Sequence, residues 1–293
     1  MDTSALAKRM KQYEAVPKNT LTRRTPVIIR VDGRAFHTFT RGFKKPFDDV
    51  LMRAMQDTMK YLCENIQGCV LGYTQSDEIT LILVDYKKLN SEAWFDYEVQ
   101  KICSIAASMA TMAFNKFFAN NFYNLEQDYA IEHETNGWYG KGTPEYEICE
   151  TYSKSVDKGA MFDCRCFNIP KEEVTNCIYW RQLDATRNSI QMVGQAYFSH
   201  KELQHKTCNQ IQDMLMTQKG INWNDLRTSY KRGSCCVRNR RVISVSADGT
   251  ATCELRNPKK PEREWIIDTE VPIFKGDGRK YIDELILVGG VEN

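Results

Sequence analysis

The spacing of apolar positions predicts the order of strands and helices along this chain. Residues 26–32, Pro-Val-Ile-Ile-Arg-Val-Asp, are rich in β-branched side chains and predict a buried strand ending on a carboxylate. The stretch 33–46 holds Gly33, Gly42 and Pro46 and reads as a loop. Leu51, Met55, Met59 and Leu62 then recur at helical spacing, with Asp48 and Asp49 placed as N-cap and first-turn acid. Residues 69–84 read as two strands around a tight turn at 74–77, a β-hairpin. Ile102, Ala106, Met109, Ala113 and Phe117 predict a second helix at 96–120, and alternation over 161–169 predicts another strand. The order strand, helix, strand, strand, helix, strand is that of a ferredoxin-like βαββαβ unit, so the fold class expected is α+β.

The remaining stretches have weaker patterns. Residues 121–160 are polar and aromatic without clear period and read as loops, including 137–144. After Pro170, with Glu172 and Glu173 suited to a helix N-terminus, a helix is predicted to about 199. A second is expected at 200–218 and a short one at 222–231, while 234–293 reads as a small region of short strands and loops. A core of 1–170 with an extension of 171–293 packed on it is the expected division, one continuous domain being the alternative.

Composition narrows the class of protein. No apolar run approaches the ~20 residues that a bilayer demands, and the opening residues lack a signal-peptide core, so a cytoplasmic protein is expected. Eleven cysteines, an odd number scattered through predicted helices and strands, suit free buried thiols in a reducing compartment. Cys164-Arg165-Cys166 and Cys235-Cys236 lack the spacing of a tetrahedral zinc site. A net charge of +2 advertises no bulk attraction to nucleic acid, although basic residues cluster, as at Lys44-Lys45, Lys231-Arg232 and Arg238-Arg240-Arg241.

Two carboxylates carry the candidate chemistry. In a βαββαβ unit the first strand and the hairpin are neighbours, so Asp32 at a strand end and Asp77 at the turn meet on one rim. With the main-chain carbonyl of Gly33 they supply hard oxygen ligands for Mg²⁺, and two such ions suit in-line phosphoryl transfer. The arrangement is that of palm-type polymerases and nucleotide cyclases. Glu78 is the adjacent acid, although alternation turns it away from the side Asp77 faces. The loop after Asp32 suits a triphosphate cradle: Gly33 permits close approach, His37 and Lys45 supply a donor and a point charge, and Ser76 can donate to a phosphate oxygen. Phe36, Phe39 and Phe43 read as anchors of that loop in the core.

The segments IIRVDGRAFHTFT, KKPFD and GYTQSDEITLIL resemble the catalytic motifs of the tRNA-His guanylyltransferase superfamily, the reverse (3′–5′) polymerases. The resemblance continues through RMKQYE, FDCRCFNIP, WRQLDATRNSI at 180–190, YKRG at 230–233 and REWIIDTEVPIF. It implies a palm-like catalytic core and a helical, RNA-interacting extension. It also implies addition of nucleotides to the 5′ end of tRNA, with GTP or another NTP and ATP as substrates and two Mg²⁺ ions as cofactors. The family's metal ligands fall on Asp32, Gly33 and Asp77, with Glu78 grouped among the catalytic acids. Its nucleotide-binding stretch falls on Gly33, Arg34, Ala35, Phe36, His37, Lys45 and Ser76. Members are usually homotetramers.

One departure bears on function. Enzymes that add guanosine to tRNA-His carry His-Ile-Asn-Asn-Leu-Tyr-Asn after the WRQ-like motif, where this chain has Asp184-Ala185-Thr186-Arg187-Asn188-Ser189-Ile190. The pattern looks like the guanylyltransferase-like branch, which implies templated repair of 5′-truncated tRNA. Arg187, Asn188, Lys231 and Arg232 are the candidate RNA or nucleotide contacts. Non-templated guanosine addition and a nucleotide cyclase are the competing activities; a binding module with a degenerate site is the competing class.

Overall fold

The computed structural model describes residues 4–136, 140–245 and 251–287. An N-terminal helix α1 (Ala5–Ala15) precedes strand β1 (Val27–Gly33), which is buried at Val27, Ile28, Ile29 and Val31 and half-buried at Arg30 and Asp32. Val27, Ile29 and Val31 enter one core and Ile28 enters the other. A short helix α2 (Phe36–Phe39) leads to α3 (Asp49–Asn65), whose N-cap Asp48 accepts the Leu51 N–H at 3.0 Å. The hairpin follows as β2 (Cys69–Gln75) and β3 (Glu78–Leu83), joined by Ser76 and Asp77. Helix α4 (Val99–Asn136), helix α5 (Pro144–Lys158) and strand β4 (Phe162–Asn168) continue the chain.

Helix α6 (Lys171–Tyr197) is followed by α7 (His200–Leu203), α8 (Cys208–Lys219) and α9 (Thr228–Arg232). Strands β5 (Ser234–Arg238), β6 (Arg241–Val245), β7 (Ala251–Leu255) and β8 (Trp265–Asp268) and helix α10 (Lys280–Ile286) complete the described chain. The main sheet runs β4-β1-β3-β2-β5-β8, with every neighbouring pair antiparallel, and β6 and β7 form a separate pair. One face packs on α3 and α4 through Ile29, Leu81, Met59 and Phe114; the other packs on α6 and α10 through Ile28, Ile82, Ile178 and Ile282.

Several expectations are corrected. Residues 121–160 are not loops: α4 runs sixteen residues beyond the expected end at 120, and α5 fills most of the rest. Phe122 of α4 packs against Tyr152 of α5, so tertiary burial sustains helix where the pattern is polar. Part of the loop expected at 137–144 lies outside the described residues. The helix expected at 200–218 is two, each started by its own capping box at Ser199 and Thr207. The stretch 222–231 holds a 3₁₀ turn (Trp223–Asp225) before α9.

Strands β5 and β8 join the main sheet, so the boundary expected at 170 is crossed by hydrogen bonds of that sheet. Helix α4 also departs from the expected absence of a long apolar run. Val99–Glu132 is long and apolar enough to cross a membrane by length and composition, yet Ile102, Ala106, Ala110, Phe114, Phe118 and Phe122 on one side are core.

Candidate active site

Asp32 is the last side chain of β1 before Gly33, and Asp77 closes the adjacent hairpin. The Gly33 N–H donates to the Asp77 carbonyl at 3.0 Å, which ties the strand end to the hairpin tip. A Cβ on Gly33 would lie 2.2 Å from the Phe36 ring, so only glycine fits there. Ser76 occupies left-handed backbone at φ 49° and donates its hydroxyl to the Asp77 carboxylate at 3.0 Å. Burial pushes the Asp77 carboxyl above its ordinary range; the Ser76 hydroxyl and an N–H of the main chain pull it back, and the Asp32 charge adds to the rise.

Strand register assembles a larger charge pattern. Asp32 lies opposite Glu78 on β3 and Asp163 on β4, a row of three carboxylates across adjacent strands. Two residues back on the same face, Arg30 lies opposite Arg165 and Thr80. Sequence reasoning missed Arg30, Arg165 and Asp163, although alternation backward from Asp32 and along FDCRC was the available signal. Glu78 is buried and its carboxylate accepts from Arg181 Nε at 2.7 Å. Burial raises the Glu78 carboxyl, and the Arg181 charge only partly offsets it. This acid is thus held toward α6.

A cleft of about 550 Å³ opens over Asp32 and Asp77. The loop between β1 and α3 lines it with Gly33, Ala35, Phe36, His37 and Lys45, and Ser76 completes the rim. That loop is fixed by aromatic packing: the Phe36 ring sits 5.4 Å from Phe114 and 5.2 Å from Phe162, and Phe39 and Phe43 pack on Phe118. Asp48 fastens its far end, accepting Lys44 N–H at 3.0 Å and Tyr152 O–H at 2.6 Å. Beside the cleft an apolar recess, bordered by Phe47, Leu51, Met55, Ala185 and Tyr230, shares Asp48, Leu51, Ser76 and Met192 with it. Phe47 and Tyr230 stack there at 4.3 Å.

Among the described residues, no three His, Cys, Asp or Glu side chains converge as a metal cage. The donors at the rim are two carboxylates and the Gly33 carbonyl. Mg²⁺ keeps much of its water and takes one or two carboxylates together with substrate phosphates, so this set fits Mg²⁺ arriving with a nucleotide.

The structure gathers Asp32, Gly33, Ala35, Phe36, His37, Lys45, Ser76 and Asp77 around one cleft. Arg34 is excluded from it: its side chain is exposed and its N–H donates to the Met161 carbonyl at 2.8 Å. The Phe36 ring borders the cleft while packing into the core, being 5% exposed. Asn188 borders the apolar recess, whereas Arg187 is exposed and paired with Asp184. Lys231 corrects the reading of a basic surface patch. It is buried, with its ammonium donating to the Asn224 carbonyl and lying over the Trp223 ring, because the α9 turn folds inward. Arg232 is half-buried, and its carbonyl accepts from Tyr73 O–H at 2.6 Å.

Known proteins resemble this chain over most of its length. The chain is similar over 97% of its length to a bacterial tRNA(His) guanylyltransferase-like protein solved in complex with ATP, covering all of that chain at 37% identity and a TM-score of 0.72. A bacterial protein of the same description, solved with GTP, gives 34% identity and a TM-score of 0.66 over 97% of this chain and 100% of that one. The tRNA(His) guanylyltransferase of Saccharomyces cerevisiae is 23% identical over 75% of this chain and 85% of its own. The family model described as tRNAHis guanylyltransferase (Thg1) matches residues 7–170, and the chain belongs to that family of nucleotidyltransferases.

Proposed function

We propose that this chain is a two-metal nucleotidyltransferase that extends the 5′ end of tRNA in the 3′–5′ direction, copying the opposing strand to repair 5′-truncated tRNA. The observation that carries the reading is the meeting of Asp32 and Asp77 on the rim of a cleft that also holds Lys45, His37 and Ser76. We read the β4-β1-β3-β2 part of the sheet as a palm-type ferredoxin-like core within residues 1–170, with 171–293 as its RNA-interacting extension. ATP and GTP bound to the similar bacterial proteins support a nucleoside triphosphate as ligand.

The protein's own groups divide the work by chemistry. Lys45 and His37 hold a triphosphate in the cleft and Ser76 donates to a phosphate oxygen. The apolar recess with Phe47 and Tyr230 receives a planar base. Arg30 and Arg165, on the sheet face beside Asp32, are placed to neutralise a second polyanion, the phosphates of the partner substrate. When bound, two Mg²⁺ ions on Asp32, Asp77 and the Gly33 carbonyl would neutralise charge on the attacking and leaving oxygens. The 3′-hydroxyl of the incoming nucleotide would attack the 5′-phosphorus of the RNA end, forming the phosphodiester as pyrophosphate leaves a 5′-triphosphate or AMP leaves an adenylylated end, with the hydroxyl proton passing to solvent.

The sequence at 184–190 favours templating over guanosine addition to tRNA-His. We place the protein in the cytoplasm as a homotetramer, and exposed Ile105, Met112 and Tyr123 on α4 are apolar surface consistent with association. The deciding experiment incubates a 5′-truncated tRNA transcript with Mg²⁺ and each NTP and sizes the product. Growth at the 5′ end by the complementary nucleotide is expected. Turnover of NTP to a cyclic product without RNA would identify a cyclase instead.

A further inference from the structure

The end of the main sheet opposite the metal site carries a second constellation. There β2 begins at Cys69, β3 ends at Leu83 and β5 ends at Arg238, six residues of β2 away from the hairpin tip. At a strand rise of 3.3 Å that separation is about 20 Å. A groove of about 450 Å³ opens at this end, with Lys87 and Arg238 as its cations and Gln67, Asn90 and Ser91 as neutral donors. Glu92 is its one lining carboxylate.

Positive charge here is poorly balanced. Lys87 is exposed at the groove, where partial desolvation and the Arg240 and Arg238 charges hold its ammonium below the ordinary lysine value. Arg240 meets Glu284 only at 3.8 Å, across an exposed carboxylate, and also feels the Arg256 charge. The Arg238 guanidinium is fixed over the Trp265 ring at 4.7 Å and donates to the Arg263 carbonyl at 3.0 Å, so it is already oriented. Two cations lining a groove with neutral donors, with Arg240 close enough to add its charge, match the phosphodiester chemistry of a nucleic-acid backbone.

We propose that the groove of Lys87 and Arg238 binds the RNA backbone at a point about 20 Å from the metal site, where the body of a tRNA extends from its 5′ end. The proposal rests on the reading of tRNA as substrate. A backbone contact carries no base information, so this groove adds affinity and orientation rather than selection of the nucleotide.

The test measures binding of a 5′-truncated tRNA across salt concentrations, for the full chain and for Lys87→Gln/Arg238→Gln, with Mg²⁺-GTP binding measured separately. Loss of two phosphate contacts is expected to reduce the slope of log affinity against log salt by about two, roughly one per contact, with Mg²⁺-GTP binding unchanged. The charge-retaining Lys87→Arg/Arg238→Lys should keep the original slope, which separates lost charge from damaged folding. An unchanged slope in the Gln variant overturns the groove assignment while leaving the substrate reading intact. Loss of slope in both double variants assigns the effect to packing and also overturns it. If the unaltered protein binds no tRNA at all, the substrate reading itself fails.

Discussion

At the residue scale, Asp77 bears two penalties, burial and the neighbouring Asp32 charge, and both act on its ionised form. A carboxyl whose folded pKa lies above its unfolded value costs stability as pH rises from the unfolded value through the folded one, and the cost persists at neutral pH. Asp77→Asn is therefore expected to raise the melting midpoint of the metal-free protein at pH 7. Mg²⁺ should raise the midpoint of the parent but not of the variant. Scanning calorimetry with and without Mg²⁺ checks both, and a lower midpoint for metal-free Asp77→Asn contradicts the sign. Asp32→Ala and Asp77→Ala should each abolish nucleotide addition with the fold retained; near-parental turnover by either refutes the two-metal assignment. Lys45→Ala should slow incorporation of all four nucleotides alike, since a phosphate contact does not distinguish bases. A selective loss with one NTP would place Lys45 at a base instead.

At the scale of elements, a buried ion pair couples α6 to the hairpin that carries Asp77. Arg181 donates to Glu78 at 2.7 Å and to Asp184 at 2.9 Å, with its side chain 10% exposed and that of Glu78 8%. Arg181→Ala leaves a buried carboxylate without its partner and should cost about 3–5 kcal/mol. Adding Glu78→Gln should recover part of that loss. Urea denaturation of the single and double variants measures the coupling, and additive losses would deny it.

The same element shows what the sequence could and could not convey. β1, α3 and the hairpin were legible because their side chains alternate or recur at helical period and enter two large cores. The second half of α4 was illegible: its residues are polar, and its helix is sustained by Phe122 meeting Tyr152 and by Leu125 and Tyr129 against the core. Asp32, Asp77 and the loop between β1 and α3 were readable as local motif. Arg30 and Arg165 required the β1–β4 register, and Lys231 required knowing that α9 folds inward over Trp223. Such placements are set by tertiary pairing rather than by any window of sequence.

Nucleotide choice belongs to the molecule as a whole together with its RNA. If the cleft residues contact phosphate and metal as proposed, few groups there are left to read base edges, so choice should follow the opposing base of the RNA. Given tRNA lacking its first 5′ nucleotide, changing that opposing base should change which NTP is incorporated. Guanosine addition whatever the opposing base would place the chain with the tRNA-His-specific enzymes, and extension only at a 3′ end would refute reverse polymerisation.

The strand that flanks the β2–β3 hairpin has a bearing on how the protein is made. β5 pairs with β2, and the Tyr73 hydroxyl bonds the Arg232 carbonyl 159 residues further along. Synthesis at ~5–20 residues per second puts roughly 8–30 s between the two partners. During that interval a hydrophobic strand beside Asp77 has an open edge, available to other nascent chains on the same message. Closure of the sheet beside Asp77 is thereby deferred until residues 234–238 have left the ribosome, and shorter products carry Asp32 and Asp77 without the strand that flanks their hairpin.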